Sequence, residues 1–159
     1  MLNNNQKQKA TRFERILVPA IGTPADEEAI KLACRLAKQD KSEVYAVYTI
    51  TMARELPLDA EIEPEIQKAE DILSRIELVA KEQNCRIETD VLQAREPGPA
   101  IIDEAMEREV DLIIMGVAYK KRFGEFSLGE VVPYVLKNAT CRVILYHQYV
   151  DTDSTEDNQ

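Results

Sequence analysis

The sequence predicts an α/β fold in which helices cover both faces of a parallel sheet. Three apolar runs are typical of strands buried on both faces: RILVPA at 15–20, DLIIMG at 111–116 and CRVILY at 141–146. Between them, apolar residues recur every three or four positions, as they do along one face of a helix. Such alternation of strands and helices favours parallel strands joined by right-handed crossovers.

The first strand is followed by a turn and a helix. Thr23 suits the N-cap and Pro24 the first helical position, where its missing N–H costs nothing, so a helix is expected from about Ala25 to Gln39. A second strand, EVYAVYTI at 43–50, is rich in β-branched and aromatic residues. A loop over 51–63 then leads to a second helix, whose apolar residues are Ile62, Ile66, Ala69, Leu73, Ile76 and Ala80.

The third strand is expected at 86–94, where alternate residues from Ile87 to Val91 turn to one face, as in a strand at or near a sheet edge. The sequence REPGPA at 95–100, with its two prolines and a glycine, is expected to end the strand, and Pro99 is suited to start a third helix. A fourth helix is expected to open at Gly129. Its predicted apolar face comprises Val132, Val135, Leu136 and Ala139.

The connection after the fourth strand is unusually long. It is expected to run from Val117 to Leu128, about twice the usual ~4–6 residues, and long loops in compact domains are commonly functional. Gly116 and Gly129 bracket it and would let backbone N–H groups approach a phosphate. The loop also holds three consecutive cations, Lys120, Lys121 and Arg122. The pattern predicts an anion site, although turn geometry and a solvated charged loop are the simpler explanations.

Length and composition indicate one domain. The 159 residues are expected to form a folded unit over 13–147, between a polar tail at 1–12 and an acidic tail at 148–159, both disordered. Acidic residues number 29 and basic residues 20, giving a net charge of −9, which disfavours nucleic acid as a partner. No signal peptide or membrane-length apolar run is visible, so we expect a cytoplasmic protein without direct membrane insertion.

Catalytic and metal-binding patterns are not evident. The sequence contains neither the dinucleotide fingerprint nor the P-loop. Cys34, Cys85 and Cys141 are widely spaced, and His147 is the single histidine, which disfavours disulfide frameworks and zinc sites. We therefore expect no enzyme activity and no required metal.

Over residues 13–147 the sequence resembles the universal stress protein family. The resemblance rests on RILVPAIGTP at 15–24, on DLIIMG, and on the closing segment GEVVPYVLKNATCRVILY at 129–146. It implies a five-stranded parallel sheet of order 3-2-1-4-5, in a Rossmann-like fold of the adenine nucleotide alpha hydrolase type.

The resemblance also implies a nucleotide loop that is degenerate in this chain. In ATP-binding members this loop has a glycine, two residues, a second glycine, nine residues, a third glycine and then serine or threonine. Gly116 and Gly129 match the outer glycines, whereas Tyr119 and Glu130 depart from the middle glycine and the hydroxyl residue. Ile21 stands where an aspartate is common.

These departures argue against a triphosphate bound as in those members. Tyr119 carries a Cβ where the backbone should approach phosphate, and Glu130 adds an anion at the helix N-terminus. The sequence SLGE at 127–130 is also a capping-box pattern, which would satisfy those N–H groups internally. Any bound phosphate is then expected to be held mainly by the three cationic side chains. The ligand could be a monophosphate or a cyclic nucleotide.

By resemblance, the leading function is a non-catalytic regulatory protein that binds an adenine nucleotide, whether ATP, AMP or a cyclic nucleotide, or a related phosphorylated ligand. The base would lie between the second strand and the turn after the first. The candidate nucleotide-binding residues are Ala20, Ile21, Gly22, Val47, Tyr48, Gly116, Val117, Lys120, Lys121, Arg122, Gly129 and Glu130.

An alternative function is a dimeric interaction module that has lost nucleotide binding, and weak ATP hydrolysis is a third. The fifth strand should end the sheet, and its unpaired apolar edge at 143–146 favours a homodimer. The segments RELPLDAE and YKKRFGEFSLGEVVPYVLKN resemble those of stress-protein domains that accompany membrane transporters. This resemblance implies a transporter or another protein as partner.

Overall fold

The computed structural model describes residues 3–4, 12–119 and 129–149, and within them five parallel strands alternate with four helices. The sheet order is β3-β2-β1-β4-β5, as expected. The strands are β1 Arg15–Ala20, β2 Glu43–Thr51, β3 Ile87–Ala94, β4 Leu112–Tyr119 and β5 Arg142–Tyr149. The helices are α1 Pro24–Asp40, α2 Glu63–Glu82, α3 Pro97–Glu107 and α4 Val131–Asn138.

The central strand β1 is buried on both faces. Ile16 and Val18 pack into a core cluster with α1 and α2, whereas Leu17 packs on the opposite face with α3 and α4. All three side chains are fully buried. This explains why RILVPA is a continuous apolar run instead of an alternating one, and the prediction of helices on both faces is confirmed.

The amino end of β1 is fixed by Asp111, which directly precedes β4. Its carboxylate accepts hydrogen bonds from the backbone N–H groups of Glu14, at 2.8 Å, and Arg15, at 3.0 Å. The backbone N–H of Asp111 donates in return to the carbonyl of Arg15 at 3.0 Å. The two neighbouring strands therefore start in a defined register.

Several predicted boundaries are wrong. The third helix begins at Pro97 instead of Pro99, and β5 continues to Tyr149 instead of ending at Tyr146. The fourth strand continues to Tyr119, so residues 117–119 belong to β4 and not to the predicted loop from Val117 to Leu128, most of which lies outside the described residues. The strand was expected to end at the glycine of DLIIMG, but β4 continues to pair with β5 beyond it, and this pairing supplies the backbone hydrogen bonds of residues 117–119.

The start of α4 also differs from the prediction. The helix begins at Val131, with Glu130 as its N-cap residue, so Glu130 cannot be the third helical residue of a capping box. Val132 and Val135 are buried as expected, but the side chain of Leu136 is 48% exposed. A helix of eight residues buries a narrower face than the sequence pattern indicated.

Gly116 lies inside β4, where it permits close packing of α1 against the sheet. A Cβ at this position would lie 2.2 Å from the carbonyl oxygen of Ala25. Gly116 does not end the strand, because β4 continues to Tyr119. A glycine is needed at this position because α1 packs against it too closely to admit a side chain.

Gly116→Ala should therefore destabilise the protein by about 3 kcal/mol, because backbone must move to admit the methyl group. Gly129→Ala is the matched control: Gly129 has a φ of +68°, and a Cβ there would meet nothing within 4 Å. It should cost only about 1 kcal/mol, the strain of a left-handed conformation. Urea unfolding of the two variants measures both values, and equal losses would contradict the packing role of Gly116.

Candidate functional site

The candidate site is a cavity of about 230 Å³ at the carboxyl ends of β1 and β4. From β1 the chain winds outward to β2 and β3, and β4 and β5 lie on the other side, so the winding reverses between β1 and β4. Ligands in open α/β sheets bind at such a reversal. The walls come from Pro19, Ile21 and Thr23, from 115–118 in β4, and from 129–132 at the start of α4.

Five of the predicted nucleotide-binding residues line this cavity. They are Ile21, Gly116, Val117, Gly129 and Glu130, which are separated by up to 109 positions in sequence. The fold therefore brings the turn after β1 together with both ends of the predicted anion loop.

The other predicted residues are distributed differently. Ala20 is buried at the end of β1, and Gly22 faces a second cavity on the other side of the turn. Val47 and Tyr48 lie in β2 beside Pro19 and Ala20, with side chains only 1% and 9% exposed. The predicted phosphate-binding cations Lys120, Lys121 and Arg122 lie outside the described residues.

The turn after β1 is organised by Asp26, a residue that the sequence analysis did not single out. Its Oδ2 accepts backbone hydrogen bonds from Ile21 at 3.0 Å, Gly22 at 2.7 Å and Thr23 at 3.2 Å. Asp26 is the third helical residue after the N-cap Thr23. The spacing of these two residues, T-P-A-D, resembles a capping box and is the sequence signal that could have identified this carboxylate.

Asp26 is an acid in an unusually dry environment. Its side chain is only 3% exposed, and burial raises its pKa from 3.8 to about 6, although the N–H groups of Gly22, Ile21 and Thr23 lower it. Its neighbour Glu27 adds a smaller upward effect. The carboxylate holds the wall of the cavity in place and occupies N–H donors that would otherwise be open to an anionic ligand.

The start of α4 offers fewer backbone donors than a typical helix. Glu130 is exposed, and its backbone carbonyl accepts the N–H of Tyr134 at 3.2 Å. Pro133, in the first turn, has no N–H group. A phosphate at this end of the cavity would therefore find few N–H groups and a nearby carboxylate.

Within the described residues, no cluster of three or more histidine, cysteine, aspartate or glutamate side chains is arranged to hold a metal ion. His147 lies on β5 and does not line the cavity. The cavity walls instead combine apolar side chains with backbone groups, an arrangement suited to binding a small molecule.

Comparison with known proteins identifies the family. The model of the universal stress protein family matches residues 12–147. The chain belongs to this family. The family match and the sheet order agree with the resemblance found in the sequence.

The chain is similar to universal stress protein MJ0531 of Methanocaldococcus jannaschii, with 29% identity over 91% of this chain and 88% of that protein. It also resembles the solved universal stress protein from Archaeoglobus fulgidus, with a TM-score of 0.67, 20% identity and coverage of 89% and 98% of the two chains. A second structure, of the Archaeoglobus fulgidus protein in complex with dAMP, has a TM-score of 0.68 and 20% identity and covers 83% and 96%. At these identities, the structural matches establish the fold.

In the described part of the chain, no helix combines the length and the apolarity needed to cross a membrane.

Because the pKa of Asp26 is raised, the contribution of this residue to the free energy of unfolding should depend on pH. The folded state binds this proton more tightly than the unfolded state, so the stabilisation is complete below pH 3.8 and is lost as the pH rises through about 6. The free energy of unfolding of the wild type, minus that of Asp26→Asn, should fall by about 3 kcal/mol across this range. Urea titrations of both proteins from pH 3.5 to pH 7 (about half-unit steps) would test this. A difference that stays constant or increases with pH would contradict it.

Proposed function

We propose that this universal stress protein is a cytoplasmic, non-catalytic regulatory protein that binds an adenine nucleotide or a related phosphorylated ligand. The observation that carries the proposal is the cavity at the switch point of the sheet, with Ile21 on one side and Gly129 and Glu130 on the other. Related folds have been solved in complex with cAMP, dAMP and AMP, which supports a nucleotide as the ligand.

The size of the cavity favours a mononucleotide over a triphosphate. Its volume of about 230 Å³ is below the ~300–1,000 Å³ that is usual for small-molecule pockets, so it would enclose only part of a nucleotide. Pro133 and Glu130 also reduce the capacity of the α4 start to hold several phosphates. A monophosphate or a cyclic phosphate needs fewer donors.

We assign the phosphate to the cationic side chains of Lys120, Lys121 and Arg122. In the sequence these residues directly follow Tyr119, where β4 ends, and residues 115–118 of the same strand line the cavity. Charge-assisted bonds from such side chains would offset the shortage of backbone donors. The base would pack near Ile21, whose apolar side chain is 48% exposed, and toward the end of β2 that holds Val47 and Tyr48.

Calorimetric titration with AMP, dAMP, cAMP and ATP tests this function. We expect binding of at least one monophosphate or cyclic nucleotide, and about tenfold or greater weakening when Lys120, Lys121 and Arg122 are all changed to Ala. The matched control changes Lys38, Lys81 and Lys137, each in the last turn of its helix, to Ala. These positions lie near the amino ends of the strands, away from the cavity. The control variant therefore loses the same positive charge as the loop variant but keeps the site.

Absence of heat with every nucleotide would reject the binding function. Equal affinities for the wild type and the loop variant would reject the phosphate assignment alone. If the control variant weakens binding as much as the loop variant, net charge would be responsible instead of the loop. Release of inorganic phosphate from ATP above a protein-free blank would contradict the non-catalytic assignment.

A second candidate is a protein-interaction module that has lost nucleotide binding. It is favoured by the loop between β2 and α2, where Leu56 and Leu58 are 38% and 48% exposed. The use of Gly116 for packing against Ala25 also favours this candidate. A membrane transporter or another protein would be the partner. This candidate would be selected if the wild type binds no nucleotide and if the double variant Leu56→Ser, Leu58→Ser no longer captures the partner protein.

We further propose that the protein is a homodimer formed through β5, the last strand of the sheet. The side chains from 143 to 146 are half-buried in the single chain. Tyr146 belongs to neither core cluster, which makes it the best-placed side chain to contact a second copy.

Light scattering after size-exclusion chromatography should give twice the chain mass of 18.1 kDa. Tyr146→Asp should shift the protein to a monomer, because a charge would be buried at the interface. Leu136→Asp places the same charge on the exposed side of α4 and should leave the mass unchanged. A wild-type mass of 18.1 kDa at micromolar concentration would rule out a stable dimer.

A further inference from the structure

The outer edge of β3 runs the full length of the strand. β3 ends the sheet on the side opposite β5, and all eight of its residues, Ile87–Ala94, pair with β2 on the inner side. Among the residues that the structure describes, no strand pairs with the outer side. The strand also contains no proline and no lysine, which commonly protect such edges. A row of backbone groups is therefore open to another extended chain.

Alternate residues of β3 point their backbone groups out of the sheet. The carbonyl of Ala94 accepts the N–H of Met52, directly after β2, at 2.8 Å, so Ala94 points inward. Backbone direction alternates along a strand, so every second residue before Ala94 also points inward and the others point outward. The N–H of Val91 agrees with this, because it donates to the Asp90 carboxylate at 2.9 Å instead of to β2. The outward residues with free edges are Thr89, Val91 and Gln93.

A groove follows this edge on each face of the sheet. One groove, of about 360 Å³, lies between β3 and α2, and the other, of about 470 Å³, lies between β3 and α3. Val91 lines both grooves, so the two meet at the strand edge. A strand added there would place successive side chains alternately in the two grooves, because side chains alternate between the faces of a sheet.

Both grooves are acidic. The groove beside α2 is lined by Glu70, Glu77 and Asp90, and none of its described lining residues is a cation. The groove beside α3 has four carboxylates and one cation, Arg95, whose guanidinium donates to the backbone carbonyl of Ala53. These four carboxylates belong to Glu96, Asp103, Glu104 and Glu107.

Only part of this negative charge is neutralised within the chain. Arg108 forms ion pairs with Glu88, Asp90 and Glu104. The remaining groove acids have no ion-pair partner in the described part of the chain, and they include Glu70, Glu77, Asp103 and Glu107. The edge thus presents uncompensated carboxylates on both of its sides.

This charge selects the occupant of the edge. A second copy of the chain, paired with the first through β3, would bring like charges together and would be disfavoured. A segment with lysine or arginine side chains would instead meet the carboxylates with opposite charge. The hydrocarbon stems of such side chains would pack on Leu73 in one groove and on Leu92 in the other.

We propose that the outer edge of β3 binds an extended, lysine- or arginine-rich segment of a partner protein, which joins the sheet as an additional strand. Its backbone bonds to the outward groups of Thr89, Val91 and Gln93, and its basic side chains enter the two grooves. The Val91 N–H then exchanges the Asp90 carboxylate for a carbonyl of the partner. Because β2 separates this edge from β1, and β5 is at the other end of the sheet, the proposal depends neither on nucleotide binding nor on the homodimer.

Amide NMR of the full chain, titrated with a basic peptide, tests this surface. The peptide alternates Lys and Val over about ten residues, enough to cover the strand. We expect shifts centred on residues 88–94 and slower hydrogen exchange at the outward N–H groups of Thr89 and Gln93. The inward N–H groups of Asp90 and Leu92 already face β2 and should change little. Absence of shifts at 88–94, or equal slowing at inward and outward groups, would overturn the proposal.

Two matched peptides separate strand pairing from charge attraction. A peptide that alternates Lys and Pro keeps the charge but lacks every second N–H, and one that alternates Glu and Val keeps the backbone but reverses the charge. Each should bind at least about tenfold more weakly than the Lys and Val peptide. Equal binding of the proline peptide would overturn strand addition, and equal binding of the glutamate peptide would overturn the preference for a basic partner.

Three variants of the protein test the same contacts. Thr89→Pro removes an outward N–H without breaking the ladder to β2, and it should weaken binding about fivefold or more. Asp103→Asn combined with Glu107→Gln removes two exposed acids of one groove and should weaken binding about two- to tenfold. Glu14→Gln combined with Glu28→Gln is the control: these acids lie before β1 and in α1, and their loss should have no effect.

Unchanged affinity in both Thr89→Pro and the Asp103, Glu107 variant would overturn the proposed contacts, and so would an equal loss in the control. The exchange measurement on the wild type decides the case if Thr89→Pro does not fold. The titration repeated with saturating AMP should give the same affinity for the Lys and Val peptide. Displacement of the peptide by AMP would place it at the cavity between β1 and β4 and would overturn a site on β3.

Discussion

The hydrogen bonds from three consecutive backbone N–H groups to the buried Asp26 carboxylate define the turn after β1, and both cavities depend on that turn. Ile21, Gly22 and Thr23 are held by one side chain from the first turn of α1. Without this carboxylate, three backbone donors near the sheet edge would need other partners. The arrangement places an acid in a buried position, where the backbone N–H groups replace only part of the stabilisation that water gives a carboxylate, so its pKa is raised.

A second constraint is the close approach of β4 to α1 at Gly116. The carbonyl of Ala25 occupies the space that a side chain at position 116 would need. The glycine that resembles the first glycine of a nucleotide loop is thus explained by packing alone. The presence of this glycine is therefore not evidence for phosphate binding. The proposal of phosphate binding depends on the cavity geometry and on the cationic residues that follow β4.

The two ends of the candidate site differ in their chemistry. On the β1 side, backbone N–H groups are already bonded to Asp26, and Ile21 presents an apolar surface. On the α4 side, Pro133 removes one donor and Glu130 adds a negative charge. Both features reduce the capacity of the backbone to bind anions, compared with a glycine-rich loop that leads into a free helix N-terminus. Any phosphate at this site would depend on side chains to a larger extent.

The sequence by itself determined the order and type of all nine described elements, the parallel sheet and the family. It did so because buried strands and amphipathic helices have different periods, and because Thr23 and Pro24 mark a helix start through local backbone chemistry. Boundaries such as the end of β4 at Tyr119 followed instead from pairing with β5, a partner 30 positions away in the register. Local sequence carries no record of that pairing.

Only the tertiary structure decided the roles of Gly116 and Asp26. A glycine after an apolar run has the same sequence signature whether it ends a strand or admits a neighbouring helix. The spacing of Thr23 and Asp26 marks this acid as a candidate capping residue, but the same spacing occurs whether the acid faces solvent or is buried beneath a turn. The distinction depends on which atoms from distant segments approach each residue, namely the Ala25 carbonyl for Gly116 and the N–H groups of the β1 turn for Asp26.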